Sequence, residues 1–197
     1  MRPKLARTVL KTGPMFAGKT FDAHQTLNSL AFRGYKVLMI ENPYNTRNSI
    51  RDICSLPDKL YDFVTLKLDD LFLEQLKQYD IIAFEEIHLY FLDKTLYKDG
   101  MENQFKKALL IAREYCKKVF LYSLILDSNN NNELFSIIKD IMLLCDQIEV
   151  LPSTQACAYC GTQNDVIFCE KNADTEERIG DHYNVVCYNC MELKKTN

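Results

Sequence analysis

Residues 13–20, Gly13-Pro14-Met15-Phe16-Ala17-Gly18-Lys19-Thr20, match the phosphate-binding pattern G-x-x-x-x-G-K-[ST] in full. Backbone N–H groups of such a turn converge on an anion, the lysine ammonium reaches terminal phosphates, and the hydroxyl at the last position suits Mg²⁺. The pattern is short enough to arise as a chance glycine-rich turn, so its context matters. Thr8, Val9 and Leu10 precede it as an apolar strand end, and Phe21, Ala23, Leu27, Leu30 and Ala31 follow at helical spacing up to Gly34. A strand, a glycine turn and a helix in that order imply binding of a nucleoside triphosphate with Mg²⁺.

Two further groups of residues have chemical character. Ile81-Ile82-Ala83-Phe84-Glu85-Glu86-Ile87-His88 is an apolar strand ending in two adjacent acids. Beside a bound triphosphate, one acid can sit in the Mg²⁺ shell and the other can orient or deprotonate a hydroxyl. Alone, two glutamates in a solvated turn are commonplace. His88 has two readings, substrate contact or structural histidine beside Leu89, Tyr90 and Phe91. Cys157-Ala158-Tyr159-Cys160 and Cys187-Tyr188-Asn189-Cys190 are C-x-x-C knuckles, able to present four thiolates as a tetrahedral, structural Zn²⁺ site. Unpaired or disulfide-bonded cysteines are the competing reading. The separation of the knuckles fits a zinc ribbon with an elongated hairpin. Cys54, Cys116, Cys145 and Cys169 are scattered and read as small neutral residues.

The elements that must position these groups alternate along the chain. Strands are expected at 5–10, 36–40, 63–66, 80–84, 118–125 and 147–151, with helices at 19–33, 69–78, 102–117 and 133–144. That order predicts an α/β fold: a three-layer, P-loop NTPase-like parallel sheet with its ligand at the strand carboxyl ends, followed by a small zinc-ribbon domain. The expected boundaries are 1–151 and 152–197, with Pro152-Ser153-Thr154-Gln155 as linker. Asn129 to Asn132 reads as a polar loop.

Composition restricts the alternatives. At 197 residues and 47% hydrophobic, the chain can bury one sizeable α/β core and one small module. A net charge of −3 provides no general basic field for nucleic acid or anionic membranes. Met1-Arg2-Pro3-Lys4-Leu5-Ala6-Arg7 is basic without the apolar stretch of a signal peptide, and the longest apolar run, 119–126, is interrupted by Ser123. The expectation is a soluble, cytoplasmic protein with neither a membrane nor a nucleic-acid partner.

These residues together resemble the type II thymidine kinase family, whose members combine a P-loop α/β domain with a zinc-bearing lasso domain. The Pro-Met-Phe insert matches the family's loop, the stretch from Lys19 to Asn45-Thr46-Arg47 runs in its register, and Glu85-Glu86-Ile87-His88-Leu89, Leu126-Asp127, and Ile179-Gly180 with Tyr183 and Cys187 to Cys190 resemble its later motifs. The resemblance implies phosphoryl transfer from ATP to the 5′-hydroxyl of thymidine or another deoxynucleoside. It casts Glu86 as general base and Glu85 with Thr20 as Mg²⁺ contacts. Lys19 and Arg47 fall beside the phosphates, and Tyr183 and Phe91 beside the nucleoside. It also implies a homo-oligomer, a tetramer in the family. This chain has Glu85 for the usual aspartate, Asn45 for the aspartate of D-x-R, and Ile87 and His88 for a small residue and glutamine. Asp181 follows Gly180 where the family has a second glycine, Cys169 and Lys171 replace the usual threonine and arginine, and the phenylalanine expected shortly after Leu126-Asp127 is missing from Asp127-Ser128-Asn129-Asn130. Those departures leave room for a nucleotide-binding relative without kinase activity. A third reading is an ATP-driven nucleic-acid module, opposed by the acidic Asp165, Glu170, Asp174, Glu176, Glu177 and Asp181.

Overall fold

The computed structural model describes residues 5–45, 58–91, 100–127, 132–171 and 183–195. Six strands form the central sheet: β1 (Arg7–Gly13), β2 (Val37–Glu41), β3 (Asp62–Thr65), β4 (Ile81–Phe84), β5 (Lys118–Leu124) and β8 (Gln147–Val150). Their order is β3-β2-β4-β5-β1-β8, and every neighbouring pair runs parallel.

Parallel strands covered on both faces must be apolar at nearly every position, and β2 and β4 are buried throughout. The two-residue pleat divides their side chains between two cores. Leu10, Leu38, Ile40, Ile82, Phe84, Val119 and Leu121 share one core with helices α2 (Asp70–Leu76), α3 (Met101–Tyr115) and α4 (Ser136–Met142). Val9, Val37, Met39, Ile81, Ala83, Phe120 and Tyr122 share the other with Ala23 and Leu27 of α1 (Lys19–Phe32). The three layers follow directly. Buried Lys11 fastens α1 to the sheet, 2.7 Å from Asp22 and 3.4 Å from Glu149.

The expected strands and helices are present with small shifts at their ends. β1 continues through the polar Lys11 and Thr12 to Gly13, because pairing with β5 and β8 extends that far. The helix expected over 133–144 is shorter. Glu133–Leu134 is instead strand β7, antiparallel to β6 (Leu126–Asp127), and Ile137, Ile138 and Ile141 alone carry the buried face of α4. Past the sheet, β9 (Val166–Lys171) and β10 (Tyr183–Cys187) form an antiparallel pair, followed by α5 (Tyr188–Lys195). No helix among the described residues is long and apolar enough to cross a membrane.

At the amino-terminal edge, Asp80 accepts from Lys117 Nζ at 2.9 Å and from the Lys36 N–H at 3.0 Å. The Lys117 hydrogen bond and the Lys36 N–H hold its carboxyl below the usual value, with partial burial opposing them. A depressed folded value contributes stability above the unfolded value, about 4, and loses it as pH falls through the folded one. Asp80→Asn is therefore expected to lower the urea midpoint at pH 7. The deficit should shrink towards pH 3 as the wild-type carboxylate also becomes neutral; a deficit unchanged between the two pH values would contradict this.

Candidate active site and cysteine cluster

The loop between β1 and α1 is built from backbone conformations that its residues partly resist. Gly18 is left-handed at φ 69° and caps α1 without a side-chain hydrogen bond, leaving the first turn to face an anion. Gly13 is required for closeness, since a Cβ there would stand 2.3 Å from the Leu151 carbonyl oxygen. Phe16, at φ 59°, holds the left-handed conformation without being glycine. Its carbonyl accepts from the N–H and hydroxyl of Thr154, at 2.9 and 2.5 Å. The linker residues thus brace the turn. Buried Lys19 lies along the loop, its ammonium donating to Pro14 O at 2.7 Å and Gly13 O at 3.4 Å.

Strand β5 separates β1 from β4, yet the loops after β1 and β4 meet over its carboxyl end. The Thr20 hydroxyl donates to Glu85 Oε1 at 2.8 Å. Glu85 and Glu86 are both buried. Glu86 sits at φ 50°, a conformation costing about 1–3 kcal/mol for a residue with a side chain. Its carbonyl accepts from Asn42 Nδ2 at 3.1 Å and from the Leu89 N–H at 3.0 Å, two bonds able to offset about 1 kcal/mol each. The 3₁₀ turn Ile87–Phe91 starts directly after it, and His88 Nδ1 lies 3.3 Å from Glu86 Oε2. A hydroxyl and a carboxylate at a helix N-terminus form an all-oxygen donor set, which suits a hard divalent cation keeping most of its water.

The four knuckle cysteines converge. The Sγ atoms of Cys157, Cys160, Cys187 and Cys190 all lie within 4.8 Å of one another, and Cys160 Sγ is 3.7 Å from Cys187 Sγ. Tetrahedral zinc with bonds of about 2.3 Å sets sulfur atoms about 3.8 Å apart, so the set fits Zn²⁺. Burial pushes the Cys157 thiol up, but the N–H groups of Cys187, Cys160 and Tyr159 outweigh it and bring it down to about 6. Cys190 is pushed up to about 12, first by its hydrogen bond with Cys160 and then by burial and its other sulfur neighbours. Four sulfurs sharing protons in this way release them when a cation binds. The scattered cysteines behave as neutral thiols: burial pushes Cys116 to about 12 and Cys145 to about 11, and raises Cys169.

The cysteine module and the phosphate loop share one apolar cluster. Met15 packs with Cys157, Val166, Cys169, Tyr183, Val185, Val186, Cys187 and Met191. Its N–H points to Cys169 Sγ at 3.5 Å, and the Cys169 N–H donates to Asn132 Oδ1 at 3.2 Å. Full burial of one methionine side chain is worth about 1.5–3 kcal/mol. Spacing did not show that Met15 and Cys169 meet, because no local pattern connects them.

Tyr183 opens β10 and is buried in that cluster; Phe91 ends the 3₁₀ turn. Arg47, Thr46, Cys54 and residues 172–182 lie outside the described residues. A cleft of about 650 Å³ lined by Arg7, Lys117 and Asp146 opens at the opposite, amino-terminal end of the strands. Its charged groups already bond to Gln147, Asp80 and the Thr8 N–H.

Comparison with known proteins agrees with this geometry. The profile of the family described as thymidine kinase matches residues 6–191. The thymidine kinase of Mycoplasma mobile is 22% identical over 182 residues, covering 91% of this chain and 84% of its own length. Thymidine kinase 1 of Dictyostelium discoideum is 27% identical over 187 residues, or 90% and 74% respectively. The thymidine kinase of Metamycoplasma arthritidis is 25% identical over 183 residues, or 91% and 87%.

The cysteine geometry predicts that the purified chain retains about one zinc per molecule. Cys187→Ser should lose it, by elemental analysis, and melt at a lower temperature. Full zinc content in that variant would contradict the assignment.

Proposed function

This chain belongs to the thymidine kinase family, and we propose that it transfers the γ-phosphoryl group of ATP to the 5′-hydroxyl of thymidine, giving the monophosphate. The single observation that carries this reading is the Thr20–Glu85 hydrogen bond, which joins the phosphate loop to the acid pair at one strand-end cleft.

In this reading the triphosphate lies along residues 13–20, where Lys19 leaves its contacts with Pro14 and Gly13 to meet phosphate oxygens. Thr20 and Glu85, joined by their hydrogen bond, would hold Mg²⁺. Bound Mg²⁺ supplies neutralisation of charge on the phosphate oxygens. Glu86 accepts the 5′-hydroxyl proton as the oxygen attacks, from a buried position at the end of β4. Because phosphoryl transfer passes through a loose transition state, positioning and charge stabilisation account for most of the acceleration. Arg47 adds positive charge near the phosphates, while Tyr183 and Phe91 contribute to the nucleoside pocket. The domain from 152 to 197, closed by Zn²⁺ on Cys157, Cys160, Cys187 and Cys190, supports the phosphate loop through Met15. We further propose a cytoplasmic homo-oligomer, by likeness to the family.

Purified protein given ATP, Mg²⁺ and thymidine should form thymidine monophosphate. Glu86→Gln should reduce turnover by about 10²–10⁴-fold, the usual range for a general base, with its melting temperature retained. Turnover of the wild type with deoxycytidine or a purine deoxynucleoside alone would replace the substrate but keep the chemistry. A Glu86→Gln variant as fast as wild type would overturn the mechanism.

A further inference from the structure

The chemistry proposed above uses the two acids after β4, yet a third glutamate is buried at the same end of the sheet. Glu41 closes β2, the strand beside β4, and it and Glu85 are each 1% exposed. Ile40 pairs with Phe84, and the Glu85 N–H donates to the Ile40 carbonyl at 3.0 Å, so the two glutamates hold equivalent positions one step beyond that pair. Equivalent positions on neighbouring parallel strands lie about 5 Å apart and face the same side of the sheet. Thr65, the register partner of Glu41 on β3, donates its hydroxyl to Glu41 Oε2 at 3.1 Å. That bond orients the carboxylate and leaves its charge as it was.

Tyr90 faces the same two acids. It lies on the 3₁₀ turn after Glu86, its ring stacked on Phe105 with centroids 4.8 Å apart and planes 16° from parallel. Tyr90 is 4% exposed, and its hydroxyl has no hydrogen-bond partner among the described residues. Burial, then the carboxylates of Glu85 and Glu41, and last Tyr44 push that hydroxyl well above its usual value, so the phenol stays neutral beside both acids. An orphaned hydroxyl at this depth is costly, and so are two like charges side by side. Both costs fall when a hydrated cation lies among these groups, because its charge offsets the carboxylates and its water bonds to the phenol oxygen.

Resting on the reading of Thr20 and Glu85 as cation contacts, we propose that Glu41 and Tyr90 complete the same site, Glu41 as a second carboxylate and Tyr90 as a partner for the ion's water. Every group offered is an oxygen, so the ligand is a hard divalent cation that retains water, Mg²⁺ or Mn²⁺. Glu41 and Tyr90 then set how tightly the cation is held. Without it, the Glu41 charge works against the fold.

The test measures Mn²⁺, which substitutes for Mg²⁺ at oxygen sites, binding to the zinc-loaded, nucleotide-free chain by electron paramagnetic resonance. Glu41→Gln keeps an oxygen for the Thr65 hydroxyl and removes the charge; Tyr90→Phe keeps the stack on Phe105 and removes the hydroxyl. Glu41→Gln is expected to weaken Mn²⁺ binding by about 10- to 100-fold. With no Mn²⁺ added it should melt no lower than wild type, which a merely structural carboxylate would not allow. Tyr90→Phe is expected to weaken binding by about fivefold, the worth of one hydrogen bond. Affinity within about twofold of wild type in either variant overturns the proposal, as does a wild-type chain that binds no Mn²⁺. Unchanged affinity in Glu85→Gln would instead reject Glu85 as the cation contact, an outcome distinct from either result on Glu41 and Tyr90.

Discussion

The hydrogen bond from the Thr20 hydroxyl to Glu85 connects the two halves of the site across 65 positions of sequence. Strand order makes it possible. With β5 between β1 and β4, the turn that follows β1 and the acids that follow β4 approach each other over the end of a single intervening strand. A hydrogen bond to an ionised group is worth about 1.5–3 kcal/mol when buried. Its value here is chiefly geometric, since it orders the donor set that a cation and a triphosphate need. Glu86 follows in a strained turn, secured by Asn42 and the Leu89 N–H at its carbonyl.

A second constraint concerns the loop's own sequence. A phosphate loop needs glycine where its backbone bends, and nothing in phosphate binding requires Pro-Met-Phe between the glycines. The structure supplies the reason. Met15 enters the core of the cysteine module and Phe16 packs against the same cluster, its carbonyl held by Thr154. The cysteine module is therefore a structural support for the loop, and the segment 152–155 is a brace as much as a connection. Cys157 and Cys187, two of the four clustered thiols, lie in the same apolar cluster as Met15, so disorder of the sulfur cluster would loosen the loop's backbone.

Much of this architecture was legible because it depends on local rules. Alternating apolar runs located all six strands of the sheet, and the Gly13–Thr20 and C-x-x-C patterns located the loop and the sulfur cluster, each being a compact stereochemical unit. What was not legible depends on contacts distant in sequence. β1 extends through Lys11 and Thr12 because its neighbours pair with polar residues as readily as apolar ones. Two-residue strands such as β6 and β7 have too few positions to show a period, so Glu133 and Leu134 read as helix. His88 carried two readings, and its contacts with Ser123 and the Leu124 N–H, 35 and 36 positions away, have no local signature. The role assigned to Arg47 rests on likeness to the family.

The account depends on one shared cleft for acid and phosphate loop. Its most direct test is a crystal structure of the chain with thymidine, Mg²⁺ and an unreactive ATP analogue. The account predicts the triphosphate along residues 13–20, with the nucleoside 5′-oxygen within hydrogen-bonding distance of the Glu86 carboxylate and in line with the terminal phosphate. A nucleoside bound with that oxygen turned away from Glu86, or a triphosphate seated elsewhere, would contradict it.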